Sequence, residues 1–98
     1  MDASRIEPPK RPDLYVVARF LDRLQTVPEG LTHARLQAAV RLNYDLYRSY
    51  LTLLITRGYL RLSPDKEGTE RAHLTPEGFA AHATLVGWIR DAFGEVKL

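Results

Sequence analysis

Residues 42–60 read LNYDLYRSYLTLLITRGYL, and this stretch decides the fold. It predicts one helix with a signal at each end. Asn43 is a good N-cap, because its side-chain oxygen accepts a bond from an orphan N–H of the first turn. Arg57 puts a positive charge in the last turn, where the helix macrodipole is negative. Gly58 is placed to take the left-handed conformation that stops a helix. Tyr44, Tyr47, Leu51, Leu54 and Gly58 recur at spacings of three and four, which is one helix face. After Gly58 the pattern changes to alternation through Tyr59, Leu60, Arg61 and Leu62, and this predicts a short strand.

The segments on the N-terminal side extend the reading. Asp13 follows Pro12 and caps a first helix whose inner stripe is Leu14, Val17, Leu21 and Leu24, with Phe20 beside it. Val27-Pro28-Glu29-Gly30 ends that helix, since proline and glycine punctuate helices. Thr32 caps a second, short helix through about Arg41, with Leu36, Ala39 and Val40 facing inward. Leu42-Asn43 then forms a tight link into the third helix. On the C-terminal side, a strand over 59–63, a charged turn over 64–71 and a returning strand over 72–74 make a hairpin. Thr75, Pro76 and Glu77 open a last helix through about Phe93. The order is three helices, a hairpin and a fourth helix: a mainly α fold with a small β-hairpin, of winged helix-turn-helix type.

The last helix carries two apolar stripes, Phe79/Val86/Ile89/Phe93 and Ala81/Leu85/Trp88/Ala92. One stripe suffices to pack a helix on a small domain. The second predicts another surface, for which a second copy of the chain is the preferred expectation. Three segments result: a Pro-rich basic arm over 1–12 that is expected to be flexible, a winged helix-turn-helix over 13–75, and a C-terminal helix over 76–98 for core packing and dimerisation.

Composition sets the outer bounds. Ninety-eight residues make one small domain. A formal charge of +2 and a pI near 9.2 permit nucleic-acid binding without demanding it. There is no cysteine, which removes disulfides, thiolate nucleophiles and cysteine zinc sites. No run approaches the roughly 18 apolar residues of a membrane span, and no signal-peptide pattern opens the chain. The expected location is cytoplasmic, on the nucleoid if the cell is prokaryotic.

The pieces LNYDLYRSYLTLLITRGYLRL and AHLTPEGFAAH resemble the small archaeal-type winged-helix DNA-binding proteins, a group of chromatin-associated proteins and predicted transcriptional regulators. The shared features are Tyr44, Tyr47 in place of the usual Leu, Tyr50-Leu51, Leu54-Ile55 and Gly58, then Thr75 and Gly78. The pattern extends to MarR-like and PadR-like regulators. The resemblance implies double-stranded DNA binding and dimerisation through the last helix.

A recognition helix reads base edges with polar side chains in its N-terminal half. Here those are Asn43, Asp45, Arg48, Ser49 and Thr52, with Arg48 the best candidate for a guanine or a phosphate. Asp45 repels phosphate, so it would accept from a cytosine amine or orient Arg48. The competing reading is a merely solvated helix face. Tyr44 and Tyr47 read as core with a wet hydroxyl more than as DNA contacts. The second helix offers Thr32, His33, Arg35 and Arg41 to the backbone, and the wing offers Lys66 and Arg71. The expected dimer surface is Ala81, Leu85, Trp88 and Ala92.

Enzyme chemistry finds no support. His33, His73 and His82 are far apart and match no zinc spacing. No nucleophile elbow or phosphate-binding glycine loop is present, and no cofactor or metal is expected. The alternative class is a winged-helix protein-interaction adaptor, and a third is a ligand-sensing regulator.

Overall fold

The computed structural model of the chain describes residues 7–95 and 97–98. Of the arm expected over 1–12, residues 1–6 therefore lie outside the described residues.

The first helix, α1 (Leu14–Gln25), starts where Asp13 accepts a hydrogen bond from the Tyr15 N–H at 2.8 Å. It buries Val17, Ala18, Phe20, Leu21 and Leu24. Leu14 departs from the expected stripe and is 50% exposed. It is the first residue of the helix, ahead of the point where α1 enters the core. A two-residue strand, β1 (Leu31–Thr32), follows and was not foreseen, because two residues cannot display an alternation. Helix α2 (His33–Val40) is capped by Thr32 and ends at Arg41, which takes a left-handed φ of 56°. That conformation turns the chain into the next helix within three residues. Two α1 side chains secure the turn: Arg19 donates to the Val40 carbonyl at 3.0 Å and Arg23 to the Ala39 carbonyl at 3.3 Å. They satisfy carbonyls that the helix end would otherwise leave unpaired.

Helix α3 (Tyr44–Thr56) has the predicted cap, with Asn43 Oδ1 accepting from the Leu46 N–H at 2.9 Å. Gly58 has the predicted left-handed φ, at 79°. Tyr47, Tyr50, Leu51 and Leu54 are buried. Tyr44 is not part of that face: it is 61% exposed. As the first residue of α3, it lies beyond the edge of the core that Tyr47 reaches one turn later.

Strands β2 (Leu60–Pro64) and β3 (Glu70–Leu74) pair antiparallel, and β1 adds to the far edge of β3, giving the order β1-β3-β2. The hairpin is longer than the sequence suggested, since pairing runs out to Pro64 opposite Glu70. Phe20, Leu21, Leu24, Leu36, Val40, Tyr47, Leu51, Leu54, Leu60 and Ala72 form the central core, drawn from three helices and the sheet.

Helix α4 (Pro76–Phe93) has Thr75 as its cap and Pro76 in its first turn, as expected. Its inner face mixes the two predicted stripes. Gly78 and Ile89 are buried, and Ala81 and Leu85 pack partly against the core. Phe79 and Phe93, assigned to an inner stripe, are exposed. The pattern misled because His82 occupies the inner face and bonds to Asp22 of α1 at 3.1 Å. Gly78 is required by close approach: a Cβ there would strike the Tyr59 carbonyl and the Leu74 side chain. No helix among the described residues is long and apolar enough to cross a membrane.

Candidate nucleic-acid interface

The buried face of α3 dictates its outer face. With Tyr47, Tyr50, Leu51 and Leu54 inward, the side opposite holds Asp45, Arg48, Ser49, Thr52 and Thr56, with Tyr44 at the open end. A helix held on one side by a core and bare on the other can lie in a groove. The sequence-predicted residues divide on this frame into those left open and those engaged within the fold.

Arg35, Arg41, Asn43 and Asp45 are exposed, and Arg48 is half-exposed. Asn43 is exposed while its side-chain oxygen caps α3, which leaves the two hydrogens of its amide nitrogen as further donors. Lys66 is exposed in the turn of the hairpin. These exposed residues lie on α2, the α2–α3 turn, α3 and the turn of the hairpin.

The others have work inside the fold. Thr32 caps α2, accepting from the Arg35 N–H at 3.3 Å. Thr52 donates to the Arg48 carbonyl one turn back, at 2.9 Å. The Ser49 hydroxyl donates to the Glu7 carbonyl. Arg71 places Nε 2.9 Å from an Asp65 carboxylate oxygen and donates to the Gly30 carbonyl at 3.0 Å. It ties the wing turn to the loop before β1. The Arg71 hydrogen bond, with backbone N–H groups of Thr69 and Glu67, holds the Asp65 carboxyl below the usual carboxylate range.

His33 is the most tightly engaged. Its Nδ1 lies 2.7 Å from the Tyr47 hydroxyl and its Nε2 lies 2.7 Å from the Glu70 carboxylate. With the ring neutral, the phenol donates to Nδ1 and Nε2–H donates to Glu70, which satisfies both nitrogens. Burial pushes the Tyr47 phenol up to about 12. The chain Tyr47–His33–Glu70 thereby joins α3, the start of α2 and the hairpin strand β3.

Sequence reasoning missed several exposed groups. Tyr44 stands at the tip of α3, and Arg57 and Arg61 are exposed at its far end and on β2. The available signal for Tyr44 was its position directly after the cap. On α4, Trp88 is 56% exposed and Ala92 is exposed, whereas Ala81 and Leu85 are partly covered by the core. Trp88 stands edge-on to Phe93, with centroids 6.1 Å apart, and Phe93 lies 6.4 Å from Tyr15 of α1. Among the described residues no group of three or more His, Cys, Asp or Glu side chains is placed to hold a metal ion.

Solved structures of similar fold exist. A MarR-family transcriptional regulator from Silicibacter pomeroyi matches 80% of this chain with a TM-score of 0.68 at 24% identity. The DNA-binding protein Sso10a-2 from Sulfolobus solfataricus matches 84% with a TM-score of 0.68 at 18% identity. The fold is a winged helix-turn-helix. The PcaV transcriptional regulator from Streptomyces coelicolor, solved with its natural ligand, shares this winged helix-turn-helix over 90% of the chain, with a TM-score of 0.65 at 21% identity. The chain spans 53% of the Silicibacter protein, 82% of Sso10a-2 and 64% of PcaV. No protein-family model and no curated protein matches the sequence. Within that fold, α2 and α3 are the two helices of the helix-turn-helix and the β2–β3 hairpin is the wing.

Proposed function

We propose that this winged helix-turn-helix binds double-stranded DNA and serves as a transcriptional regulator or chromatin protein, with α3 in the major groove. The observation that carries the reading is the outer face of α3. Asp45 and Arg48 are polar, lie in its first two turns and stand opposite the core, with Asn43 exposed at the cap just ahead of them, the position from which a recognition helix reads base edges. Arg35, Arg41 and Lys66 supply charge for the flanking phosphates. Structural likeness to DNA-binding regulators supports this reading.

The same reading includes a homodimer. Trp88, Phe93 and Tyr15 make an exposed aromatic cluster where α4 ends beside α1. Trp88 and Ala92 are the part of the expected surface best placed to meet a second copy. Pairing two recognition helices on two half-sites needs such a contact.

Fluorescence anisotropy with duplex DNA over a salt series tests the function. Arg48→Ala is expected to weaken binding to a selected site by about 1–3 kcal/mol. Unchanged affinity counts against the groove assignment. The adaptor reading draws support from Tyr44, Leu46 and Ile55, three exposed apolar side chains on α3. It predicts little DNA binding even at low salt.

A further inference from the structure

We infer that the segment Glu7–Pro12 is a pre-shaped phosphate clamp mounted on the flank of the recognition helix, with Lys10 and Arg11 as its two contacts. The inference rests on the DNA-binding reading and extends it to a part of the chain outside the helix-turn-helix.

The segment is held at both ends by neighbouring residues of α3. The Ser49 hydroxyl donates to the Glu7 carbonyl, and the Asp13 N–H donates to the Tyr50 hydroxyl at 2.8 Å. Six residue steps could span about 20 Å if extended. Here both ends return to one turn of α3, so the segment between them bows outward, with a bend at Lys10 and Arg11. Pro12 forms one wall of a shallow apolar cavity of about 150 Å³ whose other walls include Leu53, Leu54 and Arg57 of the same helix end. Pro8, Pro9 and Pro12 each fix φ, which lowers the entropy lost in holding the bend.

The chemistry at the bend is cationic and available. Lys10 and Arg11 are exposed, and neither has an acidic partner among the described residues. Glu7 is the acidic side chain of the segment, at the tether rather than the bend. Ser49 belongs to the outer face of α3, so the segment borders the surface that would enter the groove. A duplex seated on that surface brings one phosphate strand past the Ser49 side. Lys10 and Arg11 are therefore placed to neutralise phosphates there without touching a base, and Ser49 acts as the anchor of the clamp and not as a base reader.

The test uses the full chain and a random-sequence duplex in a salt titration followed by anisotropy. The double variant Lys10→Gln/Arg11→Gln is expected to reduce the slope of log affinity against log salt by about 2, since each phosphate contact contributes about 0.9. Its thermal unfolding should match the parent chain, because both side chains are exposed. The charge-matched variant Arg90→Gln/Lys97→Gln, on and beyond α4, should leave the slope within about 0.5 of the parent's value. If the parent binds and the double variant keeps the parent's slope, the clamp is wrong and the DNA reading stands. Tighter binding by the double variant also overturns it, showing a segment that hinders the groove face. If the parent fails to bind at low salt, the DNA reading falls and takes the clamp with it.

Discussion

At the scale of single residues, the polar side chains divide by how far away their partners are. Asn43, Thr32, Thr75 and Asp13 were legible as caps because each accepts from an N–H two or three residues on. His33, Ser49 and Arg71 read in the sequence as candidate DNA contacts, and in the fold each is bonded to a group 37 to 42 residues distant. Local pattern carries no record of such partners. Tyr47 illustrates the energetic weight of burying one phenol. Burial pushes that phenol up to about 12 from its ordinary 10.0. A raised value means the neutral phenol is the form the fold prefers. Its contribution is complete below pH 10 and is lost as pH rises toward 12. Two units correspond to about 2–3 kcal/mol. Tyr47→Phe should therefore be less stable at neutral pH by about 1 kcal/mol, having lost the bond to His33. The gap to the parent should close above pH 10, because the variant has no phenol to protect. Urea unfolding at pH 8 and at pH 11 would check this, and a gap of constant size would contradict it.

At the scale of elements, helix starts were legible and helix faces were less so. Capping is local, and all four helices begin within a residue of the expected place. Faces failed where a helix projects past the core, as at Leu14 and Tyr44, or where a polar residue occupies the inner side, as His82 does in α4. The junction between sheet and α4 is the most closely fitted contact. Thr75 donates its hydroxyl to the Gly58 carbonyl at 2.6 Å and its N–H to the Tyr59 carbonyl at 3.0 Å. It also accepts from the Gly78 N–H at 3.0 Å. Gly78 thus lies where α4 leaves no room beside β2. Gly78→Ala removes a helix-disfavouring glycine, worth about 1 kcal/mol in favour of the variant on propensity alone. The clash with Tyr59 and Leu74 should outweigh that gain and leave a net loss of about 1–3 kcal/mol. A chemical-denaturation series on the two proteins decides between propensity and packing, and a stabilised variant would show that α4 can shift at little cost.

At the scale of the whole molecule, the arrangement of three helices, wing and final helix was readable because each segment agreed with its neighbours. The third strand was not readable, since it exists only through its pairing with β3. Assembly is the property a single chain displays least. The predicted stripe on α4 proved half occupied by the molecule's own core, leaving Trp88 and Ala92 with Phe93 and Tyr15 at the surface. If that cluster joins two copies, Trp88→Glu should yield a monomer by sedimentation velocity at concentrations where the parent sediments as a dimer. Circular dichroism should be unchanged, because Trp88 is 56% exposed. A dimer that survives the substitution would move the contact elsewhere. DNA affinity should fall with the dimer, since each half then binds alone.

The chain of bonds from Tyr47 through His33 to Glu70 has a mechanical consequence. Recognition helix, first helix of the turn and wing are linked through one imidazole, and the Arg19 and Arg23 contacts lock α1 to the same turn. The α2 helix, α3 and the hairpin therefore share one hydrogen-bonded connection. If the domain binds DNA as proposed, the hairpin can move away from α3 only by first giving up the His33–Glu70 bond, so a duplex of different contour meets that resistance before it meets a loose wing.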